Sequence, residues 1–199
     1  WAGGGNGGFL EADGPSAMAA IDWGDLTTVQ PTEVLESRFP LHIEWTQLGL
    51  DSGGPGERRG GLGMRRALRL TRGTAAYSLL SDGAIMPPFG VHGGETGAPV
   101  DSYVINADET EHRFASPGKV GGHPLTEGDT VILQSAAGGG YGDPLRRDPE
   151  EVRRDVENDL VSREIAETIY GVRFDNDGTI DIEGTASHRA ALSEARPRL

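Results

Sequence analysis

Histidines and a cluster of arginines are the side chains most able to do chemistry in this sequence. His42, His92, His112, His123 and His188 show no helical or chelating spacing, so no pair of them predicts a metal site. His92 and His123 fall in glycine-rich loops, where an imidazole could act as acid, base or ligand. A lone loop histidine is more often simply solvated. Arg58, Arg59, Arg65, Arg66, Arg69 and Arg72 lie within fifteen residues. Such a cluster could bind an anion or meet an acidic partner. The alternating pattern around it favours a strand pair with a solvated face, and a subunit interface is the intermediate reading.

Local motifs exclude several activities. Gly3, Gly5 and Gly8 have dinucleotide spacing, but no strand precedes them and no helix follows to receive a phosphate. Gly118-Lys119 lacks the earlier glycine and the following Ser or Thr of a P-loop. Residues 175–178, Asp-Asn-Asp-Gly, look like part of a calcium loop. Arg173 and Gly184 would then stand at the first and last ligand positions, so a hairpin turn is the better reading. No Gly-x-Ser-x-Gly elbow occurs. Cysteine is absent, which excludes disulfides, thiolate catalysis and cysteine-ligated zinc.

The elements that must position these residues follow from composition and periodicity. The 199 residues suit one domain, or one domain with an appendage. The net charge of −13 disfavours nucleic acid and anionic membrane surfaces as partners. No apolar run is long enough to span a bilayer. Glycine supplies 31 residues, about twice the usual ~7%, in aperiodic clusters that predict many tight turns. The first 25 residues read as loop, weakly ordered near Trp1.

Alternation predicts strands over 41–46, 66–72, 76–80, 100–106, 112–115 and 130–135, the second and third forming a hairpin. Residues 31–36 suit a short helical turn. From Gly138 the character changes. Asp148, Pro149 and Glu151 form a helix start with a capping box, followed by the stripe Val152, Val156, Leu160. Ser162 can cap a second helix that Gly171 would end. A hairpin over 172–182 and a fraying helix from 185 complete the chain. The expectation is a mainly β, α+β chain. Residues 1–137 form an antiparallel sandwich or barrel-like region, and residues 138–199 a small helical and hairpin appendage.

Three stretches carry a resemblance. The first runs from Glu36-Ser37-Arg38-Phe39-Pro40 to Asp51-Ser52-Gly53-Gly54-Pro55-Gly56 and Arg59-Gly60-Gly61-Leu62-Gly63. The second joins Leu79-Leu80-Ser81-Asp82 to Pro87-Pro88-Phe89-Gly90 and Gly93-Gly94. The third joins Glu127-Gly128-Asp129 to Gly138-Gly139-Gly140-Tyr141-Gly142-Asp143-Pro144 and Asp148-Pro149. Together, over residues 1 to about 172, the sequence resembles the C-terminal part of the hydantoinase B family. That family includes N-methylhydantoinase B subunits, the matching half of 5-oxoprolinase, and large subunits of acetone and acetophenone carboxylases.

The resemblance implies a cytoplasmic, ATP-dependent complex. A hydantoinase A type partner would carry ATP and phosphorylate a carbonyl oxygen. The B-type subunit would then support ring opening by water or carbon–carbon bond formation with bicarbonate. A divalent metal would sit in the N-terminal part of the B-type subunit, which is absent here, and no cofactor would bind this chain. B-type chains are several times longer, so this chain would be a segment of one or a separately encoded piece, incomplete as an enzyme alone. The glycine motifs would let backbone pack closely at a subunit interface.

Three departures bear on substrate more than on fold. Gly83 follows Ser81-Asp82 where an arginine is common, and Ser116-Pro117-Gly118-Lys119 replaces a compact Pro-Ser-Lys. Residues 27–31 depart from the usual Asn-Thr-Pro pattern. Lys119, the sole lysine, becomes a candidate for anion or interface contact. The positions to test are Asp51, Arg65, Asp82, His92 and Lys119, none assigned as nucleophile or base. A non-catalytic scaffold subunit and a free-standing β-sandwich binding module are the alternatives.

Overall fold

The computed structural model describes residues 3–19 and 29–195. The expectations at Trp1, at 27–28 and at the last four residues lie outside the described residues. Two antiparallel sheets form the larger part. The first has the order β1-β2-β7-β4-β5 and the second pairs β3 with β6. Their ranges are β1 Leu41–Leu48, β2 Met64–Leu70, β3 Thr74–Leu80, β4 Asp101–Ile105, β5 Glu111–Arg113, β6 Lys119–Thr126 and β7 Thr130–Gln134. The expected helical turn is α1, Thr32–Arg38. It leads into β1, where the Glu36 carboxylate accepts the Ile43 N–H at 2.8 Å. Leu70, Val104 and Val131 of the larger sheet meet Leu125 of the smaller one, with Leu41, Tyr77 and Phe114 packed around them. The sheets are therefore two layers over one apolar core, as in a sandwich, and no barrel closes among the described residues.

Two details differ from expectation. β2 and β3 do not form a hairpin. β2 is held on both edges, Leu41 opposite Leu70 and Arg65 opposite Gln134, whereas β3 pairs Thr74 with Thr126. The chain leaves the first sheet at Gly73, whose φ of 75° favours glycine, and begins the second layer. The strand β6 carries no alternation in sequence because Gly121, Gly122 and Pro124 interrupt it. Buried Val120 and Leu125 anchor it instead.

Beside the sheets, extended segments from residues 3–8, 53–63, 90–97 and 136–142 run against one another. Their backbones exchange hydrogen bonds directly. Gly61 N–H donates to Asn6 O (2.8 Å), Gly138 to Gly61 (2.9 Å), Gly54 to Gly138 (2.8 Å) and Gly140 to Glu95 (2.9 Å). A Cβ on Gly138 would stand 1.8 Å from the Asn6 oxygen, and one on Gly60 would stand 1.9 Å from the Gly138 oxygen. Only hydrogen fits at such positions. The glycine clusters thus pack against one another inside this chain.

The C-terminal part begins with a single 3-10 turn, Pro144–Arg146, capped by Asp143. Asp148 caps α2, Pro149–Glu157, by accepting the Glu150 N–H at 3.0 Å. The Ser162 hydroxyl caps α3, Arg163–Thr168. Gly171, at φ 67°, turns the chain out of it. Val152, Val161, Ala166, Tyr170 and Val172 form a second core. The hairpin expected over 172–182 shrinks to one bridge, Phe174 to Ile180. Ile182 starts the helix α4, Ile182–Ala195, rather than ending a strand. The Asp181 carboxylate accepts the Gly184 N–H at 2.8 Å, which is N-cap geometry.

Candidate functional site

A largely buried charge cluster joins the glycine layer to α2. Arg147 has its side chain 2% exposed. Its two terminal nitrogens donate to the two carboxylate oxygens of Asp13, each at 2.7 Å. One of them also reaches Asp155 on α2 at 2.9 Å. Arg59 lies beside them, its Nε 3.4 Å from Asp155 and its backbone N–H 2.7 Å from Asp13. The expected solvated face of the arginine cluster therefore fails at Arg59, which is buried. Arg66 and Arg69, on opposite faces of β2, are partly exposed and bond Thr46 and Glu44 across the β1–β2 pair.

Burial pushes the Asp13 carboxyl up. The Arg147 hydrogen bond and charge, the Arg59 N–H and the Arg59 charge outweigh this and hold it below the ordinary range. Burial opposes the charge on Arg147, yet the Asp13 and Asp155 carboxylates keep its pKa raised. Tyr170 stands in the same field, and burial pushes its phenol up. Both carboxylates are engaged by guanidinium groups. The cluster is built to hold charge in place, not to move a proton.

Glu151 was expected to complete a capping box. Its carboxylate faces Arg58 at 3.5 Å and Arg147 at 3.6 Å, so it serves this cluster. Asp13, Arg147 and Asp155 were missed in the sequence. Asp13 and Arg147 are 134 residues apart, and no spacing rule connects them. Asp155 did carry a signal, since it stands three residues after Val152, on the apolar stripe of α2.

The five sequence candidates fall in four places. Asp82 and Lys119 line one cleft of about 200 Å³, with Ser81, Ser116, Gly118 and Met86. Lys119 has no carboxylate within ion-pair distance among the described residues. Asp51, in a left-handed conformation at φ 60°, accepts the Ser162 N–H at 2.6 Å, and its own N–H donates to Leu160 O. It ties the glycine layer to the turn between α2 and α3. Arg65 lies over the Trp45 ring, 5.5 Å from its centroid. His92, at φ 54°, packs against Tyr141 with ring centroids 5.0 Å apart. The fold also stacks His112 on His123, 4.6 Å between centroids, with Phe114 edge-on to both. Their sequence spacing gave no sign of it, because β5 and β6 bring them together from different sheets.

The family model described as hydantoinase B/oxoprolinase matches residues 1–144. The chain belongs to this family. The caprolactamase subunit beta of Pseudomonas jessenii is 36% identical over 166 residues, covering 80% of this chain and 28% of that protein. The crystal structure of the ATP-dependent caprolactamase from Pseudomonas jessenii superposes with a TM-score of 0.76 at 32% identity, covering 94% of this chain and 32% of that one. A nucleotide-free acetone carboxylase structure superposes with a TM-score of 0.79 over 97% of this chain and 30% of that one. Its 24% identity makes that a likeness of fold. The chain spans less than a third of the length of the curated relatives it matches.

The hydantoinase B resemblance implied a divalent metal elsewhere in the subunit. No three His, Asp or Glu side chains converge on a metal-sized position among the described residues, so these residues do not fit one. No helix among them is long and apolar enough to cross a membrane.

Proposed function

We propose that this chain is part of the B-type component of an ATP-dependent enzyme that opens cyclic amides. It would act with a hydantoinase A type partner that carries ATP, and with the remainder of a B-type subunit that carries the metal. The observation behind this reading is the 36% identity to a caprolactamase subunit across 80% of the chain.

Amide resonance makes the carbonyl carbon a poor electrophile. Transfer of the ATP γ-phosphoryl group to the amide oxygen removes that resonance and releases ADP. Water then adds to the carbon, and the carbon–nitrogen bond breaks to leave an amine and an acyl phosphate. A second water releases carboxylate and inorganic phosphate. This chain contributes framework: the buried charges of Arg147, Arg59, Asp13 and Asp155 pair with one another, and its glycine layer fixes loops that a catalytic part can rest on. The compartment consistent with this ATP use is the cytoplasm.

Carboxylation of an enolised ketone is the second reading, supported by 28% identity to the acetone carboxylase alpha subunit of Xanthobacter autotrophicus across 96% of this chain. It would share the activated-oxygen step and replace water by bicarbonate. Co-purification with the A-type partner, followed by ADP release assays, separates the two. ADP release with caprolactam, hydantoin or 5-oxoproline, requiring both components, supports cyclic amide hydrolysis. Release only with acetone and bicarbonate supports carboxylation. A complex that forms but turns over without this chain reduces it to a scaffold. A stable monomer that binds no partner overturns the proposal.

A further inference from the structure

The end of β3 and the loop that follows it present large apolar side chains to solvent. Leu80 is 84% exposed, Ile85 82%, Met86 85% and Phe89 78%. The loop is nevertheless tied down along its length. Ser81 N–H donates to Gly118 O at 2.8 Å and Val100 N–H to Gly83 O at 3.2 Å. Gly97 N–H reaches Pro88 O at 2.9 Å, and Val91 N–H reaches Gly140 O at 2.9 Å. A loop with its backbone fixed cannot fold these side chains inward. Together they offer on the order of 500 Å² of apolar surface, against roughly 800 Å² per side in a standard interface. At its edge the cleft holds Asp82 and Lys119, a carboxylate and an ammonium able to set register.

We propose that this loop is the surface on which the remaining part of a hydantoinase B type polypeptide packs. The inference rests on the complex reading above. Three observations select this occupant. More than two thirds of the length of the matched relatives lies outside the region shared with this chain, so a unit of this kind sits within a much larger subunit. The patch is apolar with a small polar edge, the character of a permanent interface resembling a divided core. A second copy is disfavoured by charge, since each chain carries −13.

A photo-crosslinking residue placed singly at Ile85 and at Met86, in the protein expressed in its source, tests this. Glu109, on the turn between β4 and β5, is the control position. The linked peptide should come from a hydantoinase B type sequence outside these 199 residues. A double variant, Ile85→Asp with Met86→Asp, should lower the melting temperature of the assembled protein by several degrees, whether the two parts are one polypeptide or two. Its circular dichroism and melting temperature as an isolated chain should match the unsubstituted chain. A linked peptide from the A-type chain or from a second copy overturns the proposal. An intact complex with no link at either position overturns it while leaving the complex reading in place. A native mass of 21.0 kDa alone overturns both.

Discussion

Arg147 grips Asp13 with two hydrogen bonds of 2.7 Å, closing 134 residues of chain into one contact. Asp13 belongs to the N-terminal extended segment and Arg147 to the turn just before α2. Asp155, on α2, accepts from the same guanidinium at 2.9 Å. The cluster therefore fastens the C-terminal helices to the glycine layer. Replacing Arg147 by Met would leave buried Asp155 and half-buried Asp13 with only the longer Arg59 contacts, at a cost of up to about 3–5 kcal/mol. For a chain of this length that lowers Tm by roughly 8–15 °C. Arg147→Lys keeps the charge but loses the two-pronged geometry, and should fall between Met and the parent. Differential scanning calorimetry of the three proteins measures the order; equal melting temperatures would remove the cluster from the stability argument.

The same pair sets a pH dependence. Asp13 has a folded-state pKa below its ordinary value of 3.8, because its engagement by Arg147 and Arg59 outweighs burial. A depressed carboxyl contributes stability that is fully present above the ordinary value and is lost as pH falls through the folded one. The expected signature is a difference in Tm between the parent and Asp13→Asn that holds at neutral pH and narrows below pH 3.8. Melting curves in buffers from neutral to strongly acidic pH check this. A gap that widens in acid would give the opposite sign and contradict the assignment.

Backbone contact, not side-chain chemistry, explains the glycine clusters. A Cβ on Gly138 would meet the Asn6 oxygen at 1.8 Å, which no side-chain rotation can relieve. Gly138→Ala should therefore prevent folding or lower stability by several kcal/mol, on the order of the worst packing substitutions. Gly121 is the control. Nothing lies within 4 Å of a Cβ there, and its φ is not in the left-handed region. Gly121→Ala should change stability by no more than about 0.5 kcal/mol. Urea titration of both variants decides between a packed layer and a set of loose turns.

How much of this was legible in the sequence depends on the range of the interaction. Period-two alternation located β1, β2, β3, β4, β5 and β7, and the capping residues Asp148 and Ser162 located α2 and α3. These are local signals, written within a few residues. The pairing of β3 with β6 was hidden, because β6 gains its place from Val120 and Leu125 in the core and its glycines and proline mask the pattern. The start of α4 was misplaced because Ile180 and Ile182 alternate like a strand, while the Asp181 cap decides for helix. The Asp13–Arg147–Asp155 cluster had no local signature beyond one acid on the apolar stripe of α2. Of the five candidates, only Asp82 and Lys119 share a cleft. Asp51, Arg65 and His92 stand at separate points of the fold, in a left-handed turn, over the Trp45 ring and against the Tyr141 ring.

Asp51 shows how a motif residue can have a purely mechanical explanation that is open to test. Its carboxylate accepts the Ser162 N–H at 2.6 Å, and its own N–H donates to Leu160 O. Ser162 is the residue whose hydroxyl caps α3. Asp51→Ala should lose the first bond and cost about 1 kcal/mol, as for loss of a charged acceptor at a helix start. Asp51→Asn keeps an acceptor oxygen and tolerates the left-handed backbone, so it should stay close to the parent. Hydrogen exchange at the Ser162 amide supplies the discriminating reading. It should speed up about fivefold in the Ala variant, the factor that 1 kcal/mol gives, and barely change in the Asn variant. If turnover of the assembled complex collapses in Asp51→Asn while the Ser162 amide stays protected, the ionised carboxylate itself has a role in the chemistry and the mechanical account is wrong.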